Sequence, residues 1–223
     1  MKHGVLFCLL GLLLAAMPRL YGGGWTFTLL WPALNLLILG IAYMQRDAAV
    51  FGKRSDGSLS PLRVVLFLPY LLFTWAVWHV CRLLPEPAAQ QINNKLTVGR
   101  RLVGNERPPK ITTILDMTSE FAEPASVRHG VRYVNLPTLD ACAPKADTLV
   151  TAIRDLQPEE HVFIHCAQGH GRTGLAAIAL LLHRGEVSDI EEGLSLLRSI
   201  RPGIGLSADQ RACLEQCLPQ LRS

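Results

Sequence analysis

Val162-Phe163-Ile164-His165-Cys166-Ala167-Gln168-Gly169-His170-Gly171-Arg172-Thr173-Gly174 is an apolar run that breaks into a glycine-punctuated turn, and the chain resumes as Leu175-Ala176-Ala177-Ile178-Ala179-Leu180-Leu181-Leu182-His183. The opening residues suit a buried strand, and the Ala/Leu-rich continuation suits a helix. Glycines at 169, 171 and 174 let backbone N–H groups converge on one point, and the following helix adds the positive end of its dipole. A strand–turn–helix of this kind is an anion cradle. Cys166 forms its floor, and Ala167, Gln168, Gly169, His170 and Gly171 supply the amides. Arg172, six residues beyond the cysteine, carries a planar fork that takes two oxygens of one phosphate.

Outward from this turn, strand-like runs at 111–115, 132–136 and 161–166 alternate with helical stretches near 143–156, 173–183, 188–200 and 208–221. The alternation predicts an α/β fold, with a mostly parallel central sheet flanked by helices. Ligands bind beyond the carboxyl ends of strands in such sheets, which is where Cys166 falls. Oriented amides, a helix N-terminus and a nearby cation favour a thiolate, so Cys166 is expected to act as a nucleophile. The Thr173 hydroxyl is placed to donate to its sulfur and make it a better leaving group.

HCAQGHGRT fills every fixed position of H-C-x-x-G-x-x-R-[ST], and in this the sequence resembles the cysteine-dependent protein tyrosine phosphatases, specifically their dual-specificity branch. The resemblance covers residues 95–223 and implies phosphomonoester hydrolysis through a phosphocysteine, with no metal and no cofactor. It also implies a general acid on an upstream loop, for which Asp140 in LPTLDACAP is the candidate; a helix cap is the plainer reading of that residue. Its gap to Cys166 is a few residues short for the family. His165 is expected to orient the turn and tune Cys166 from behind, and Gln210, in RPGIGLSADQ, to position the hydrolytic water or merely cap a helix. Asp116, Asp147 and Asp209 read as capping or solvated residues. The variable positions Ala167, Gln168 and His170 hold no lysine, which disfavours a poly-phosphorylated inositol headgroup.

The first third of the chain has a different composition. Residues 1–84 carry 7 Lys/Arg against 2 Asp/Glu, and residues 85–223 carry 15 against 16. The net charge of +4 therefore belongs to the apolar part and is no nucleic-acid footprint. Hydrophobic residues make up 49% of the chain and the mean hydropathy is +0.25, enough that part of the burial is expected in lipid. Three apolar segments predict an all-α transmembrane region with helices at 4–21, 25–44 and 64–84, then a polar linker at 85–94 and the catalytic domain at 95–223. A signal peptide is the alternative for the first segment, although Ala15-Ala16-Met17-Pro18 makes a poor cleavage site.

Three spans would put the 46–63 loop and the catalytic domain on opposite sides of the membrane. The basic residues then divide evenly, and a cytoplasmic catalytic domain is favoured only by the basic stretch 95–110 facing an anionic leaflet. Six cysteines show no disulfide framework; Cys213 and Cys217 lie four apart on one helix without a second ligand pair and read as packing residues. The expected substrate is a phosphorylated protein, phosphotyrosine foremost and phosphoserine or phosphothreonine if the pocket is shallow. A phospholipid phosphomonoester such as phosphatidylglycerophosphate is the alternative, and a phosphate-binding pseudophosphatase module is another.

Overall fold

The computed structural model describes residues 2–222. Helices α1 (Lys2–Tyr21) and α2 (Leu30–Gln45) form an antiparallel hairpin, joined through Gly22 and Gly23 and a 3₁₀ turn at Gly24–Leu29. The two backbones approach closely because glycines line the seam. A Cβ on Gly40 would lie 2.3 Å from the Cys8 sulfur, and one on Gly4 would lie 2.8 Å from the Gly40 carbonyl oxygen. Small residues serve this purpose between helices in lipid, where no hydrophobic effect drives association. These two helices, the second counted with its leading turn as Gly24–Gln45, are long and apolar enough to cross a membrane.

The third apolar segment does not follow the expected path. It is divided at Phe67 into α3 (Pro61–Leu66) and α4 (Leu68–Cys81), and α4, at 14 residues, is too short to span. Pro69 explains the break, because it has no N–H to donate back to the preceding turn. The Leu66 carbonyl at the bend accepts from Trp31 Nε1 and Asn35 Nδ2, both at 2.8 Å. The 46–63 loop lies against the catalytic domain: Lys53 pairs with Asp116, Arg46 with Asp209, and the Asn135 amide donates to the Arg54 carbonyl. Loop and domain are packed together, where three spans would separate them.

The remaining elements are β1 (Ala89–Asn93), β2 (Leu96–Arg100), β3 (Thr113–Thr118), α5 (Ala125–Arg128), β4 (Arg132–Thr138), α6 (Ala146–Arg154), β5 (Val162–Cys166), α7 (Gly171–His183), α8 (Ile190–Ile200) and α9 (Ala208–Leu221). The sheet order is β1-β2-β5-β3-β4, with every pair parallel except β1–β2. The α/β fold is thus the expected one, with an antiparallel edge. That edge lies where a linker was expected at 85–94, since AQQIN pairs with LTVGR across a turn in which Asn93 Oδ1 caps the Lys95 amide.

Helix α7 is buried from Arg172 to Leu182, as a helix apolar on all sides must be, and packs with α6, α8 and α9 over one face of the sheet. Cys213 and Cys217 lie in that core, their thiols against the Pro144 and Ala146 carbonyls. Phe163, Ile114 and Leu102 fill the other face. Strand β5 is therefore sandwiched, and it delivers Cys166 rigidly at its carboxyl end.

Candidate active site

Cys166 ends β5 and is 3% exposed. Its own carbonyl and the three that follow all find partners behind the turn. Arg101 N–H donates to the Cys166 oxygen at 2.8 Å, Trp78 Nε1 to Ala167 at 2.9 Å, and Arg201 to Gln168 and Gly169, both at 2.9 Å. In a trans peptide the N–H points opposite to the preceding C=O, so amides 167–170 face away from these anchors, toward the cysteine side. The Gly169 amide lies 3.3 Å from the Cys166 sulfur. Glycine is required there: φ is +78°, and a Cβ would lie 2.3 Å from the Gly99 carbonyl carbon.

Arg172, in the first turn of α7, is 1% exposed and is held as a bidentate pair by Glu120, at 2.8 and 3.0 Å, with the Thr138 carbonyl at 2.8 Å. Burial opposes charge on both partners, but each outweighs it for the other: Glu120 is held below the usual carboxylate range and Arg172 is pushed well above its own. The carboxylate fixes the guanidinium plane beside Cys166.

Asp140, on the loop after β4, has a side chain 75% exposed and places Oδ1 3.4 Å from Arg172 Nη2. The next residue, Ala141, has φ of +58°. Gln210 closes this side: its amide group caps the Ser207 N–H and donates to the Cys142 carbonyl, and its side chain lies against Gly171. Asp209 binds Arg46 and the Ala143 amide. Thr173 Oγ1 is buried without a partner, so the expected bond from its hydroxyl to the sulfur is not formed.

His165 is fully buried, its Nδ1 3.4 Å from the Cys166 carbonyl oxygen, and burial pushes its pKa down to about 4. It belongs to a buried cluster with Asp116 and Glu123, whose donor atoms come within 4.8 Å of one another. A cation already occupies this cluster. Lys53 Nζ lies 2.5 Å from Asp116 Oδ2, and Tyr133 donates to the same oxygen at 2.7 Å. Burial would raise the Asp116 pKa, but Lys53 holds it well down; Glu123 is pushed up by burial and by the Asp116 charge.

The sequence did not single out Glu120, Arg201, Trp78 or Lys53. Arg201 is fully buried and clamps the turn to the Pro87 carbonyl, Gln90 and Glu86. Glu86 also binds His170 at 2.9 Å. The Arg-Pro-Gly that ends α8 was the available signal for Arg201.

A cavity of about 650 Å³ opens above Cys166. Its floor includes Ala167, Gln168, His170, Gly171 and Arg172, and Asp140 and Gln210 flank it. The opposite wall comes from the N-terminal helices.

Residues 106–210 match the family profile described as PTP-SAK, Swiss Army Knife protein, DSP-PTPase phosphatase domain. No curated protein matches the chain. Among solved structures, Tk-PTP in its active form is 21% identical, with TM-score 0.52 over 60% of this chain and 98% of that one. Human DUSP28 is 13% identical, TM-score 0.52, over 62% and 97%. Human tyrosine phosphatase-like serine/threonine/tyrosine-interacting protein is 16% identical, TM-score 0.54, over 62% and 100%. Such identities speak for the fold alone. The profile match is thus to a DSP-PTPase phosphatase domain over residues 106–210, and the solved structures share the fold.

Proposed function

We propose that this chain is a membrane-anchored hydrolase of phosphomonoesters that works through a phosphocysteine intermediate. One observation carries the reading: Cys166 sits under the inward amides of its turn, beside an Arg172 that Glu120 holds flat. The thiolate attacks phosphorus, the S–P bond forms and the ester P–O bond breaks. Asp140 gives its proton to the departing oxygen. Water then attacks phosphorus, Asp140 takes the proton back, and the S–P bond breaks to release inorganic phosphate and the thiolate. Arg172 and the amides of 167–171 hold the phosphoryl oxygens throughout, and Gln210 is placed to orient the water.

Helices α1 and α2 supply the anchor in this reading. With two spans rather than three, the basic residues within about 20 positions of a span end divide as Lys2, Arg46, Lys53, Arg54 and Arg63 on one side and Arg19 alone on the other. That asymmetry supports a cytoplasmic catalytic domain.

The test uses full-length protein in detergent micelles with p-nitrophenyl phosphate. Cys166→Ser abolishes release, and Asp140→Ala loses rate mainly on alkyl phosphates, whose leaving groups are poor. Undiminished turnover by Cys166→Ser would remove the nucleophile and the reading with it.

A further inference from the structure

We propose that the substrate is a single-phosphate lipid, drawn from the bilayer with its chain lying between the N-terminal helices and its phosphate on Cys166. This rests on the phosphatase reading above and names the substrate class of the same site.

The cavity is far larger than a phosphoryl group needs and falls in the range of drug-sized ligand pockets. Beyond the glycine turn it is lined by Phe7 of α1, Tyr43 of α2, and Tyr70, Phe73 and Val77 of α4. Those residues come from the part of the chain whose outer surface is apolar. Of the large hydrophobic side chains exposed among the described residues, all but Leu196 lie between Val5 and Leu84. Phe73 is 68% exposed and Val77 43%, so the wall that meets the cavity also meets whatever surrounds the helices. A peptide bearing phosphotyrosine would have to bring its backbone against that mostly apolar wall, whose polar groups, His3, Thr74 and the hydroxyls of Tyr43 and Tyr70, are too few to pair a run of amides. An acyl or prenyl chain gains there.

Charge sets the headgroup. Arg172 is the guanidinium beside Cys166, and two carboxylates, Glu120 and Asp140, share the cavity with it. Arg198 lines the far side but turns its Nε to the Ile204 carbonyl. One phosphate fits this balance better than several.

The experiment uses full-length protein in mixed micelles with dioleoyl phosphatidic acid, the short-chain dihexanoyl form, a phosphotyrosine peptide and p-nitrophenyl phosphate. The dioleoyl lipid is expected to exceed the dihexanoyl lipid and the peptide by about 100-fold in kcat/KM, since each buried methylene contributes. Phe73→Ser, at an exposed position where folding is little affected, is expected to reduce the long-to-short ratio about ten-fold. Equal rates on long and short chains, or a peptide rate matching the lipid, would overturn the proposal. The aryl phosphate separates the two levels: Cys166-dependent turnover of it without lipid preference overturns the lipid reading alone, and no Cys166-dependent turnover of any substrate overturns both.

Discussion

The indole of Trp78, on α4, donates to the carbonyl of Ala167, the first residue after the nucleophile, at 2.9 Å. Arg82 and Arg101 stack on the same ring, with guanidinium carbons 4.9 and 5.1 Å from its centre. A helix of the apolar region thus helps turn the catalytic amides inward. Trp78→Phe keeps an aromatic ring, smaller than the indole, and deletes the donor. It is expected to cost about 1 kcal/mol of stability and to lower kcat on p-nitrophenyl phosphate about ten-fold through a loosened turn. An unchanged kcat would show that Arg101 and Arg201 suffice to orient it.

Glu120 performs the same service for Arg172. Glu120→Ala leaves a guanidinium fully buried beside the Thr138 carbonyl with only the exposed Asp140 carboxylate, 3.4 Å away, to face it, and breaking such a buried pair costs about 3–5 kcal/mol. Glu120→Gln keeps the shape and one acceptor. Its kcat is expected to fall about 100-fold with a smaller loss of stability, measured by steady-state kinetics beside denaturant unfolding. A Gln variant as active as wild type would mean that Arg172 is positioned by Thr138 and the phosphate alone.

Legibility tracked distance along the chain. Cys166, its turn and Arg172 lie within seven consecutive residues, so their chemistry is written locally. Glu120 is 52 positions from Arg172, and nothing in TSEFAEP marks that carboxylate as a partner for a distant guanidinium. Strand β1 was hidden by its composition, because an edge strand that is half exposed can be built of Ala, Gln and Asn. The third apolar segment misled for another reason. Hydropathy reports what a segment is made of and not the direction it takes, and Pro69 turns α4 back onto the catalytic turn.

The buried pairing of Lys53 with Asp116 crosses between the apolar region and the catalytic domain, with both side chains fully buried. A fragment of residues 95–223 loses Lys53, loses β1, and loses Glu86, Pro87 and Gln90 from around Arg201. Asp116 is then left buried without its cation. The fragment is expected to unfold at markedly lower urea concentration than the full chain in micelles, and Lys53→Met in the full chain to cost about 3–5 kcal/mol. A fragment of equal stability would show that Asp116 finds water or Arg101 instead.

The proposed two-span topology can be read directly. A fluorescent protein that folds only in the cytoplasm, fused after Ser223, is expected to glow, and a tag inserted at Gly23 to be reached by protease from the outside of sealed cells. Dark fusions would place the domain outside and contradict the five-to-one division of the basic residues that flank the spans.

His165 gives the chain a pH dependence of defined sign. Its pKa is about 4 in the fold because burial penalises the imidazolium, against an ordinary value of 6.5. The native state therefore binds fewer protons than the unfolded chain between these values. The stability from keeping His165 neutral is complete above about pH 6.5 and is lost as pH falls through 4, by about 3 kcal/mol in all. Glu123, with a raised pKa, works in the opposite sense: its contribution is lost as pH rises. The two face each other, His165 Nε2 lying 3.8 Å from Glu123 Oε1, so the readout is the difference between wild type and His165→Gln across pH 4–7. Glutamine carries no proton to lose, so its stability should fall less steeply on acidification than the wild type. Parallel curves would mean that the imidazole does charge in place, stabilised by Asp116 and Glu123, and that the cluster accepts a further cation beside Lys53 and Arg101.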